Sequence, residues 1–157
     1  MRLTSDALGA RIDELAEVLR RDGELVERHS QLNTSPTLID FRIESPGGAA
    51  GHEMSFRYSE SYERDADAWL MTEYVYLMSW QNGLGQLEYH WHSLPWSEGI
   101  SIYHTHCQPP AGTREHFRGH VMLLEEARGD FLARYAAGEP VDCQGLYPLG
   151  TMRSLTP

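Results

Sequence analysis

Residues 69–92 constrain the fold of this chain more than any other stretch. Trp69 to Gln81 is rich in aromatic and aliphatic residues, among them Tyr74, Val75, Tyr76, Leu77 and Trp80, which suits a pleated, half-buried strand. Asn82-Gly-Leu-Gly85 then turns the chain. Leu87 to His92 follows with a strict period of two. Leu87, Tyr89 and Trp91 fall on one strand face, and Glu88, His90 and His92 on the other. If the first face is core, His90 and His92 look into solvent or a cleft.

An earlier hairpin reads the same way. Ile39, Phe41 and Ile43 alternate with Asp40, Arg42 and Glu44, and Ser45 to Gly51 is turn material. His52, Met54, Phe56 and Tyr58 share one face, with Glu53, Ser55 and Arg57 on the other. Pro95 ends the strand that carries His92 or places it at an edge, and Ile100 to His106 forms a closing strand. Helices flank these strands. Leu8, Ile12, Leu15 and Leu19 make one apolar stripe from about Asp6 to Arg21, with Ser5 or Thr4 as cap and Gly23 after the end. The spacing predicts a second, longer helix from Thr113 to about Ala137, striped by Phe117, Val121, Leu124, Phe131 and Tyr135. Gly129 weakens its middle and Gly138 ends it. The expected class is therefore α+β: an antiparallel sheet of four to five strands with an N-terminal helix and a longer C-terminal helix. Residues 1–138 make one domain, and 139–157 an irregular tail.

A chain of 157 residues is long enough for a real core. Its net charge of −10, with arginine as the sole strong cation, excludes loose phosphate binding by a basic surface. The segment from Gln86 to His120 is the exception. Three carboxylates (Glu88, Glu98, Glu115) face two arginines (Arg114, Arg118) and six histidines there, so it is nearly neutral and turns cationic below about pH 6.5. No run of about 18 apolar residues spans a membrane. The N-terminus lacks the apolar stretch of a secretory signal, so a cytoplasmic placement is expected. The two cysteines are too few for a disulfide framework. Cys107 reads as a small buried thiol, or alternatively as a soft ligand beside His106.

Six of the eight histidines lie between His90 and His120 in three pairs: His90/His92, His104/His106 and His116/His120. The first two have i, i+2 spacing, which puts both rings on one strand face. The third has i, i+4 spacing, which does the same on a helix. Imidazole suits proton transfer or metal binding near neutral pH.

From about residue 37 to 108 the chain resembles the TumE-like toxins, RNase-like members of toxin–antitoxin pairs. Glu73 to Gln81 looks like the family's long strand, and Asn82 to Gln86 like its turn. His90-Trp-His-Ser-Leu-Pro-Trp96 lies where the family carries Arg-aromatic-Asp-Asn-x-Pro-His. It keeps the aromatic and the proline, with His90 and His92 in place of Arg and Asp and Trp96 in place of the final His. Tyr103-His-Thr-His106 looks like the closing His-rich strand. The resemblance implies metal-free RNA cleavage without a cofactor, and an antitoxin protein as partner. His104 and His106 would be acid and base, with His90 and His92 adjoining.

Such cleavage needs a base, an acid and a donor to the phosphate. Arg114 or Arg118 would meet the phosphate, and Tyr89 or Trp91 would stack on a base. The alternative is a metal-dependent hydrolase or oxygenase, with His90, His92, His104 and His106 holding Zn or Fe. A non-catalytic binding module is the third reading. The spacing does not match the zincin motif, since His116-Phe-Arg-Gly-His120 lacks its Glu.

Overall fold

The computed structural model describes residues 1–21, 29–35, 37–46, 54–80, 85–92, 102–138 and 141–149. The chain runs β1 (Arg2–Leu3), α1 (Ser5–Arg21), β2 (His29–Thr34), β3 (Leu38–Pro46), β4 (Met54–Asp65) and β5 (Ala68–Trp80). It continues with β6 (Gln86–His92), β7 (Ile102–Gln108), β8 (Glu115–Arg118), α2 (Leu124–Ala137) and a 3-10 helix, Gln144–Leu149. Strands β2 to β8 pair in sequence order, each antiparallel to the next, and β1 adds to β5.

The α+β class holds, with eight strands among the described residues where the sequence predicts four to five. Both read hairpins form: Ile43 pairs with Tyr58 across β3–β4, and Tyr76 with Tyr89 across β5–β6. The expected turn residues 47–51 and 82–84, and Gly23, His52, Pro95, Trp96 and Glu98, lie outside the described residues, as do the side chains of Leu15 and Leu19. β4 continues past Tyr58 to Asp65 and returns through Ala66-Asp67, with Ala66 in the left-handed region at φ 55°. No glycine marks that turn.

Thr4 starts α1, its carbonyl accepting the Leu8 N–H at 2.9 Å and its hydroxyl oxygen the Ala7 N–H at 3.2 Å. Both helices sit on one sheet face. Phe131 of α2 is fully buried there, its ring 5.5 Å from Tyr89 and 6.1 Å from both Phe56 and Tyr58. Leu8 of α1, Leu124 and Ala127 of α2, and Tyr74, Tyr76, Met78, Leu87 and Phe117 of the sheet complete this core. Burying each such large side chain contributes roughly 1.5–3 kcal/mol.

Three expectations need correction. The C-terminal helix is not the longer one: α2 has 14 residues against 17 in α1. It begins at Leu124 rather than after Thr113, because Glu115–Arg118 is strand β8. The edge of β7 offers that segment a ladder, and alternation buries Phe117 on the core face while His116 points the other way. Gly119 lets the strand end close up. Its N–H donates to the Tyr103 carbonyl at 3.1 Å, and a Cβ there would come within 3.1–3.2 Å of the His104 backbone.

The third correction concerns the cysteines. Cys107 and Cys143 form a disulfide, with Cα atoms 5.9 Å apart. Cys107 lies on the core face of β7, opposite the His106 side, so it is no soft ligand. The bridge fixes residues 141–149 against the sheet, with Val141 and Cys143 buried. Two cysteines 36 positions apart give no sequence signal of pairing; only the return of the chain after α2 brings them together.

Candidate metal centre

The same alternation that buries Leu87, Tyr89 and Trp91 turns Glu88, His90 and His92 to the face opposite α1 and α2. Strand register then assembles the rest. His90 pairs with His104 and Glu88 with His106 across β6–β7, and His106 pairs with His116 across β7–β8. On the β5 side, His92 pairs with Glu73. Five imidazoles from three neighbouring strands thus meet in one patch.

Their ring centroids run 5.3 Å from His92 to His90, 4.8 Å to His104, 4.5 Å to His106 and 4.3 Å to His116. His92, His104 and His106 are buried, and His90 and His116 half-buried.

Two carboxylates hold the rings from behind. Glu88 Oε1 accepts from His106 Nδ1 at 2.6 Å, and Glu73 Oε1 accepts from His90 Nε2 at 3.0 Å. This leaves the second nitrogen of each ring, His106 Nε2 and His90 Nδ1, buried without a hydrogen-bond partner. His90 Nδ1 is 3.6 Å from Glu88 Oε1, beyond a hydrogen bond. Arg114 completes the group: its Nη2 donates to Glu88 Oε1 at 2.8 Å and is packed against His106 Nδ1.

Burial lowers the His106 pKa against the raising pull of Glu88, so the ring is held neutral. His116 is lowered by burial and then by neighbouring His106 and Arg114. Burial pushes Glu88 up, but its bond from His106 and the nearby Arg114 cation outweigh it and keep it below the usual carboxylate range. Glu73 is lowered by its bond to His90. Neutral imidazoles backed by ionised carboxylates are the protonation pattern that metal ligation requires.

His90, His104 and His106 each offer a nitrogen within 4.8 Å of the others. A zinc ion bound at ~2.0–2.1 Å from each nitrogen sets ligand ring centroids about 5 Å apart. The observed separations, 4.8 Å, 5.5 Å and 4.5 Å, bracket that value. His92 and His116 flank this triad at its two ends and do not complete it.

The remaining sequence candidates divide between the two faces. Arg114 touches the cluster through Glu88 and His106. Arg118, in register with His104, is exposed on β8. Tyr89 and Trp91 are not available to stack on a base. Tyr89 donates to Asp130 at 2.8 Å under Phe131, and Trp91 stacks on Tyr103 at 5.7 Å, both on the core face. Residues alternate sides on a strand, so the aromatics beside His90 must point away from it. His116 and His120 do not share a helix: His116 joins the cluster, and His120 is exposed beyond β8.

Glu88 and Glu73 are the residues that a search for histidines passes over. The period of two already placed Glu88 beside His90, but its role depends on the cross-strand partner His106. No family model, curated protein or solved structure matches this chain. No helix among the described residues is long and apolar enough to cross a membrane.

Proposed function

We propose that this protein is a metal-dependent hydrolase whose centre is built on His90, His104 and His106. One observation carries the reading: His106 and His90 each have one ring nitrogen tied to a carboxylate and the other buried and unpartnered within the cluster. A metal ion satisfies those nitrogens at once, and the carboxylates fix tautomer and ring orientation. Three imidazole ligands favour zinc. Iron oxygenase sites of the facial-triad type replace one histidine by a ligating carboxylate, whereas Glu88 and Glu73 sit behind the rings. Zinc, when bound, acidifies a water molecule and polarises a substrate oxygen. The chain's part is to hold three ligands rigidly on adjacent strands and leave further coordination positions open.

The test is metal analysis of untagged protein after dialysis, with zinc titration of the stripped form. About one zinc per chain is expected, and loss of it in His104→Ala. Protein that neither retains nor takes up zinc, iron or copper would end this reading.

A second reading is favoured by Arg114. His106, oriented by Glu88 and flanked by a guanidinium, has the parts of a metal-free RNA-cleaving site: a base, its positioning carboxylate and a cation for the phosphate. This is the TumE-like toxin reading, with RNA as substrate, an antitoxin as partner and a cytoplasmic setting. It requires cleavage to 2′,3′-cyclic phosphate ends in the presence of EDTA, abolished in the His104→Ala, His106→Ala double variant. The Cys107–Cys143 bridge tests the setting, since reducing compartments disfavour disulfides. Thiol alkylation in intact cells should then find both cysteines reduced.

A further inference from the structure

We infer that the ligand of this centre carries a small anionic group, a carboxylate or a phosphoryl, and that Arg114 anchors it. The inference deepens the metal-site reading and rests on it for the identity of the reacting centre, but not for the anion contact itself. Glu88 Oε1 is approached by His106 Nδ1 at 2.6 Å, Arg114 Nη2 at 2.8 Å and His90 Nδ1 at 3.6 Å. The His106 Nδ1–H that donates to Glu88 has no lone pair left to offer. Arg114 Nη2 therefore shares the single oxygen Glu88 Oε1 with a closer donor.

Arg114 is also replaceable where it stands. Its side chain is 44% exposed, so its ion pair with Glu88 holds weakly. If it leaves, Glu88 keeps its shorter bond from His106 Nδ1, and the entering anion takes over the guanidinium. An entering anion gives the guanidinium unshared acceptor oxygens in the forked geometry it prefers.

A place for that anion adjoins the triad. Gln86, Glu88, His106, Gln108 and Arg114 line a shallow depression there. The Gln86 amide donates to Gln108 Oε1 at 3.2 Å, and the Gln108 amide to the Gly112 carbonyl at 3.2 Å. That wall fixes the loop from which Arg114 projects. As it stands the depression is too narrow for a water molecule, so a ligand enters as Arg114 turns off Glu88. In a chain of net charge −10, bulk attraction cannot gather anions. Selection must come from one well-placed fork beside the histidine cluster.

The experiment titrates inorganic phosphate and acetate, separately and at fixed pH, into EDTA-treated protein, following the His106 and His116 ring signals by NMR. Binding should weaken at least tenfold in Arg114→Ala and partly in Arg114→Lys. It should tighten severalfold in Glu88→Gln, which removes the competing charge. Either anion binding through Arg114 supports the inference and tells which class is preferred. Equal binding by wild type and Arg114→Ala, or no binding of either anion by the wild type, overturns it. Zinc titration of the same samples keeps the two readings apart. Arg114-dependent anion binding in a protein that takes no metal leaves this inference standing and removes the metal centre.

Discussion

Two carboxylates on opposite faces of the sheet, one buried and one half-buried, show how similar parts serve different ends. On the helix side, Glu60 is 2% exposed and accepts from Tyr62 and Tyr76 hydroxyls, each at 2.6 Å, and from Arg11 Nη2 at 3.0 Å. Those donors end the network at Glu60 and, through Arg11–Glu125, tie α1 to α2. On the other face, Glu88 accepts from His106, a donor with a second nitrogen that the protein leaves bare. The Glu60 carboxylate collects three donors and holds the fold, with Arg11 Nε the one buried atom of that group left without a hydrogen-bond partner. The Glu88 cluster leaves ring nitrogens unmet, and on that demand the proposed metal centre rests.

The largest effect that separates the two is on stability. Glu60→Ala strips Arg11 of its closest and most buried carboxylate and the Tyr62 and Tyr76 hydroxyls of their acceptor, and should cost about 3–5 kcal/mol in denaturant unfolding, with zinc affinity unchanged. A parallel fall in zinc affinity would erase the contrast. The disulfide belongs to the same structural side. Its cysteines are 36 residues apart, for which loop entropy predicts about 4 kcal/mol lost on reduction, read as a drop in Tm with reductant.

On the other side, Glu88→Gln should lower zinc affinity by roughly 10–100-fold in a calorimetric titration, with little change in the unfolding midpoint. A large stability loss with unchanged affinity would make Glu88 a second Glu60. The smallest difference shows only in alkali. Burial, reinforced by Glu60, raises the Tyr62 and Tyr76 pKa values well above the ordinary value. These groups keep their protons longer folded than unfolded. Their contribution is therefore full below about pH 10 and is lost as pH climbs further. Tyrosinate absorbance should show a silent fraction that titrates only on unfolding, shrinking in Glu60→Ala.

What could be read from the sequence follows from what each segment states locally. The hairpins of β3–β4 and β5–β6 were legible because large apolar residues alternate with polar ones over whole strands. β2, His29-Ser-Gln-Leu-Asn-Thr34, has little such pattern and owes its pairing to the waiting edge of β3. The second half of β4 was masked by Glu60, a charge on the core face where an apolar residue is expected. Around His116, Phe117, Val121 and Leu124 fit a helical stripe as well as a strand, and only the edge of β7 decides between them. The shared face of Glu88, His90 and His92 was visible; the bonds to His106 and Glu73 were not, because cross-strand register is a property of two segments together.

Strand β6 writes two messages in one reading frame. Its even positions, Gln86, Glu88, His90 and His92, serve the histidine face, and its odd ones, Leu87, Tyr89 and Trp91, serve the core. Slipping the strand by one residue would exchange them, sending the aromatics to water and the imidazoles into the hydrocarbon interior. A descendant of this chain can therefore change a letter on either side, but it cannot gain or lose one here without giving up core and centre in the same stroke.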